Sequence, residues 1–159
     1  MNSIILAAGY GKRFKLKNFK KPKCLLEIFN KNLLYYLIKN LLKNRVNKIF
    51  IITGYKKKLI IKYVKKNFRI NKKILFIENK KFKQYGNSYS ALLACKKVIG
   101  PTLLLNADII PPKNSIKKMI KNKKKNFFLA NSTDIFDSDD ITFAHNKNRK
   151  VVGVYVKDK

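Results

Sequence analysis

The sequence predicts an α/β fold built on a mostly parallel sheet flanked by helices. Two observations carry that expectation. Short, continuous apolar runs of strand length recur at residues 3–7, 49–52, 74–77 and 102–105, and between them apolar residues fall at helical spacing. Such unbroken runs at 3–7 and 49–52 mark strands buried on both faces, as parallel strands are. Strands that alternate with helices favour parallel crossovers. At 159 residues the chain has single-domain length and can bury a core.

The elements follow in order. Residues 3–7 form the first buried strand and run into a loop containing Gly9 and Gly11. Leu33, Leu34, Leu37, Ile38, Leu41 and Leu42 share one helical face, so 32–44 is an amphipathic helix. The strand at 49–52 ends at Thr53-Gly54, and Leu59, Ile60, Tyr63 and Val64 then stripe a second, Lys-rich helix. After the strand at 74–77, residues 88–98 read as a helix carrying Ala91, Leu92, Ala94 and Cys95. The strand at 102–105 feeds directly into Asn106-Ala107-Asp108. Pro111-Pro112 opens a short helix through Ile120, proline being tolerated in a first turn. A fifth strand is expected at 127–131.

Beyond residue 132 the pattern changes. Asp134, Asp137, Asp139 and Asp140 form an acidic cluster, read as a solvated loop or as a contact for a quaternary ammonium. Residues 141–144 and 151–156 look like a hairpin appended to the sheet, with a polar turn at 146–149 that holds His145 beside it at the surface. Tyr35, Tyr36 and Tyr63 are expected to be partly buried on helix faces. A sheet needs both faces covered. A strand this near the last residue therefore points to a truncated fold or to completion by a partner.

The formal charge of +30 admits two readings. One is attraction to nucleic acid or an anionic membrane. The other is A/T-rich codon usage: arginine occurs only at Arg13, Arg45, Arg69 and Arg149, while Asn and Ile are abundant. Phosphate-reading surfaces lean on arginine for bidentate contacts, so nucleic acid is not the expected partner. The charge still steers anionic substrates toward any cleft. Cys24 and Cys95 lack metal or disulfide spacing and read as free thiols in a reducing cytoplasm. Neither a signal peptide nor a transmembrane segment is expected.

The loop after the first strand carries the chemistry. In parallel α/β sheets ligands bind at the carboxyl ends of strands, where Leu6-Ala7-Ala8-Gly9 lies. Small side chains at Ala7 and Ala8 let a base or phosphate approach the backbone, and Gly9 and Gly11 permit successive N–H groups to turn toward one anion. Neither the P-loop spacing nor the dinucleotide fingerprint is met; Phe14 stands where the latter needs glycine. Arg13 follows by two residues and Lys23 by ten more, with Pro22 fixing the backbone before the lysine. Asn87 and Ser88 suit a helix N-cap, and an amide can also read a pyrimidine edge. Asp108 is one of three carboxylates before residue 130, with Glu27 and Glu78. A carboxylate there needs a cation, or caps the following turn.

The patterns LAAGxGxRF and KPKCLLEI resemble the signature of the nucleotidyltransferases that make nucleoside-diphosphate sugars and CDP-alcohols. Residues 86–94 resemble the NNxYSLxxA segment of bacterial phosphocholine cytidylyltransferases, with Gly86 replacing the first asparagine. The resemblance implies a Rossmann-like fold of the nucleotide-diphospho-sugar transferase type. Residues 1–110 would bind nucleotide, and 111–159 would begin an incomplete acceptor-binding part. It implies that Leu6, Ala7, Ala8, Gly9 and Gly11 wrap base and triphosphate, that Asn87 contacts cytosine and that Ser90 lies near the nucleotide. Arg13 and Lys23 would neutralise charge as pyrophosphate leaves, and Asp108 would hold Mg²⁺. The implied partners are CTP, or another nucleoside triphosphate, and a phosphorylated small-molecule acceptor such as phosphocholine. Self-association is left open. A sugar-1-phosphate transferase with another base and a non-catalytic nucleotide-binding or nucleic-acid-binding protein are the alternatives.

Overall fold

The computed structural model describes residues 1–11, 20–69, 71–122, 127, 141–145, 147–148 and 151–156. The chain divides into two compact units, Met1–Lys123 and Lys124–Lys159.

The first unit is organised by a four-stranded parallel sheet. Its strands are β1 (Asn2–Ala7), β4 (Ile49–Thr53), β5 (Ile74–Glu78) and β6 (Thr102–Asn106), in the spatial order β5-β4-β1-β6. The four apolar runs are therefore the sheet. β1 lies between β4 and β6, and successive side chains alternate between its faces. Ile5 and Ala7 join the core formed with α1 (Leu33–Lys43), α2 (Lys57–Phe68) and α4 (Ser115–Lys121). Ile4 and Leu6, with Ala8 just beyond the strand, pack in a smaller core with Ala94 of α3 (Asn87–Cys95). In α1 the buried residues are Leu33, Leu34, Leu37, Ile38 and Leu41, the stripe read from the sequence.

Three local expectations are corrected. The helix expected at 88–98 spans Asn87–Cys95 instead; it presents Ser90 and Ala94 to the interior, while Leu92 and Cys95 are exposed. Small residues let the short helix lie close to the sheet, which rotates the larger ones outward. Neither Asn87 nor Ser88 caps it; the N-cap is Gly86, with no side-chain cap bond. Pro111-Pro112 does not open α4, which starts at Ser115. The Pro112 carbonyl instead accepts the Ser115 N–H at 3.1 Å and its hydroxyl at 2.7 Å, with Asn114 left-handed at φ 65°.

A small hairpin was not foreseen. β2 (Glu27–Ile28) and β3 (Lys31–Asn32) pair antiparallel through Phe29 and Asn30, both left-handed at φ 49° and 65°. Two positive φ values are what a two-residue turn of this hand requires. Asn30 is suited to it; Phe29 gives no sequence warning.

In the second unit β7 (Ile141–His145) pairs antiparallel with β8 (Val151–Val156), with an irregularity between Ala144 and His145. The hairpin itself is as expected, but it forms a two-stranded sheet of its own instead of extending the four-stranded one, and His145 ends a strand rather than sitting in the turn. Phe127 has no regular structure; the rest of the expected fifth strand and the acidic cluster lie outside the described residues. Among the described residues no helix is long and apolar enough to cross a membrane.

Candidate active site

The chain leaves β1 toward β4 and β5 on one side, then returns to place β6 on the other. This reversal beside β1 is a topological switch point, where the strand ends open a crevice for ligands. The predicted loop lies at its mouth. Leu6, Ala7 and Ala8 are buried and Gly9 is exposed. Gly11 adopts φ 68°, a conformation glycine favours; Gly9 does not use a positive φ. Arg13 lies outside the described residues.

Lys23 is aimed by its backbone. Pro22 sits at φ −56° before a 3-10 turn, Lys23–Leu25, in which Leu25 N–H donates to the Pro22 carbonyl at 2.8 Å. Cys24 and Leu25 are buried in the main core, which leaves Lys23 between them and the surface. The turn is tied down from behind. Asn32 donates through its side chain to the Leu25 carbonyl, Leu33 N–H donates to the Leu26 carbonyl at 3.0 Å, and the Tyr63 hydroxyl accepts the Asn32 N–H at 3.3 Å. The unforeseen hairpin thus belongs to the scaffold of Lys23.

Asp108 arrives from the other direction. Ala107 N–H donates to the Leu6 carbonyl at 3.2 Å, which extends the β1–β6 pairing past the end of β6 and holds the next residue beside the loop. Across 85 residues of sequence, Lys23 Nζ then donates to Asp108 Oδ2 at 2.8 Å. Both side chains stay partly open to solvent, at 41% and 36%. In this structure the cation that Asp108 needs is Lys23.

Cys24 lies directly behind this pair. Burial, more than any other influence, pushes its thiol up to about 12. It stays protonated at physiological pH and is no nucleophile. A thiol reagent at about pH 8 is expected to modify Cys95 in the native protein and to reach Cys24 only on unfolding; mass spectrometry of the labelled peptides checks this.

On the other flank, Ser90 is buried and its hydroxyl accepts from the Asn79 side chain at 3.0 Å. Asn79, fully buried, also donates its backbone N–H to the Thr53 carbonyl at 2.8 Å and accepts the Lys81 N–H at 2.9 Å. This network fixes the segment leading to α3, at whose exposed start Asn87 stands. Sequence reasoning missed Asn79; an asparagine directly after an apolar strand run was the available signal. Gly54 packs so tightly that an added Cβ would lie 2.8 Å from both the Ala8 carbonyl oxygen and Phe82 Cβ. Gly54→Ala is therefore expected to cost about 1–3 kcal/mol by overpacking against backbone, seen as a lower denaturation midpoint.

A family described as a domain of unknown function, DUF6564, matches residues 20–158. The bifunctional protein GlmU of Methanococcus maripaludis is 36% identical over 110 residues, covering 69% of this chain and 25% of that protein. The choline-phosphate cytidylyltransferase of Streptococcus pneumoniae is 33% identical over 108 residues, covering 68% of this chain and 44% of that protein. The chain belongs to the DUF6564 family, within the nucleotidyltransferase superfamily. Its fold agrees with that placement. The inositol-1-phosphate CTP transferase from T. maritima superposes with a TM-score of 0.72 at 22% identity, covering 96% of this chain and 62% of that one. The chain thus spans a quarter to under a half of the length of these two curated relatives.

Proposed function

We propose that this DUF6564 chain carries the nucleotide-binding half of a nucleotidyltransferase. The reaction, in the cytoplasm, joins CTP to a phosphorylated small alcohol of the phosphocholine kind, releases pyrophosphate, and supplies a product for decorating cell-surface glycan or lipid. The Lys23–Asp108 pair carries this reading: opposite charges held at 2.8 Å, at a switch point, beside a strand-end loop of small residues.

Phosphate is already ionised at neutral pH, so attack on the α-phosphorus needs no general base. What the site must supply is position and charge neutralisation. Lys23 and Arg13 would offset the charge that builds on the departing pyrophosphate. N–H groups of the loop from Leu6 through Gly11 would cradle the triphosphate. Asn87 would read the cytosine edge, with Ser90, pinned through Asn79, holding that helix in place.

The donor set fits magnesium of a particular kind. Asp108 is a hard oxygen donor, exposed just beyond a strand end. That suits a cation held by one or two carboxylates plus substrate phosphates, rather than an all-protein cage. Bound there, Mg²⁺ would neutralise phosphate charge.

A second reading is a sugar 1-phosphate acceptor with another base. One panel separates the two. Each nucleoside triphosphate is offered with phosphocholine and with several sugar phosphates, and pyrophosphate is read with and without Mg²⁺. Magnesium-dependent release with CTP and phosphocholine is expected. Release only with a sugar phosphate favours the second reading. Nucleotide binding without release marks a non-catalytic protein. Salt-sensitive DNA binding without release would overturn the reading.

A further inference from the structure

An aromatic wall stands beyond the ends of β1 and β4 and has no part in phosphate chemistry. Tyr10 directly follows Gly9 and is 50% exposed. Its ring meets that of Tyr55 edge-on, with centroids 4.5 Å apart and planes at 65°. Tyr55 in turn lies 6.4 Å from Phe82. The arrangement is built into the backbone. Tyr55 N–H donates to the Ala8 carbonyl at 3.1 Å, and the preceding Gly54 is packed against Ala8 and Phe82 with no room for a side chain.

The sheet order sets the polarity of the crevice. Tyr10 and Tyr55 follow β1 and β4, while Asp108 follows β6 on the other side of β1. A π surface and an ion pair thus flank one strand end. A nucleoside triphosphate has the same polarity: a flat, uncharged ring at one end and dense negative charge at the other. A quaternary ammonium also favours aromatic rings, but here Lys56 Nζ already lies 5.4 Å from the centre of the Tyr55 ring. The local field disfavours a second cation and suits a neutral ring.

We propose that Tyr10 is a nucleotide-binding residue whose ring, backed by Tyr55, stacks on the nucleobase. The inference rests on the nucleotidyl-transfer reading and adds to it a platform that tolerates any base. Choice among bases is left to groups that hydrogen-bond. Stacking on an aromatic side chain contributes enough for its loss to weaken binding about tenfold.

The test titrates CTP, inorganic triphosphate and phosphocholine by calorimetry into the full chain and into Tyr10→Ala and Tyr10→Phe. Tyr10→Ala is expected to bind CTP about tenfold more weakly, with triphosphate affinity unchanged, while Tyr10→Phe keeps the wild-type CTP affinity. Unchanged CTP binding in Tyr10→Ala overturns the platform alone. So does a parallel loss of triphosphate binding, which would make Tyr10 a loop-shaping residue. A loss confined to phosphocholine assigns the ring to an ammonium group and also overturns it. If the wild-type chain binds neither CTP nor triphosphate, the nucleotidyl-transfer reading falls first and takes the platform with it.

Discussion

Lys23→Ala is expected to lower turnover by about 10²–10³-fold, the cost of removing one preorganised charge-stabilising group from a transition state. It should do so with little change in stability. The Lys23–Asp108 pair is partly exposed on both sides, at 41% and 36%, and pairs of that kind contribute about 0–1 kcal/mol. Turnover measured as pyrophosphate release, alongside a thermal unfolding curve, separates the two effects. Near-normal turnover in a folded variant would remove Lys23 from the chemistry. Lys23→Arg keeps the charge but replaces a compact ammonium with a planar fork, so it is expected to recover only part of the rate.

The second large effect belongs to Asp108. Asp108→Asn keeps the size and one oxygen donor but removes the charge that pairs with Lys23. Turnover is expected to fall by about 10²-fold or more, because the charge that would hold a hard cation beside the phosphates is gone. Added magnesium should not restore it. The discriminating measurement is a magnesium titration of nucleotide affinity: wild type gains affinity with Mg²⁺, and Asp108→Asn does so weakly or not at all. Equal gains would show that the cation is held by phosphates and other groups. The two substitutions also differ in sign of charge. Without magnesium, Asp108→Asn removes this carboxylate's negative charge from beside Lys23 and should bind inorganic triphosphate at least as well as wild type. Lys23→Ala should bind it less well.

Much of the framework was legible because it rests on local pattern. The unbroken apolar runs became β1, β4, β5 and β6, and the Leu33-to-Leu41 stripe is the buried face of α1. Hydrophobic periodicity reports directly which side of an element meets the core. Errors arose where periodicity was weak or where backbone conformation decided. α3 has few large apolar residues, so which face it buries was set by how closely its small residues could approach the sheet. The turn at Phe29-Asn30 takes a conformation that phenylalanine does not advertise. The start of α4 was moved by the bond pair from Ser115 to the Pro112 carbonyl, which competes with continuing the helix through the prolines.

The same division runs through the site. Sequence alone determined which residue types stand at the ends of strands: the small-residue loop from Leu6 to Gly9, a lysine fixed behind Pro22, and an aspartate directly after β6. Those follow from covalent order and from the rule that buried apolar runs become strands. Only the tertiary structure decided which of them meet. The reversal of chain direction beside β1 brings Asp108 to Lys23 across 85 residues and sets the Tyr10–Tyr55 wall on the other side of the same strand end. No spacing in the sequence encodes those distances, because they depend on strand order, and strand order is fixed by how the helices between the strands pack on the two faces of the sheet.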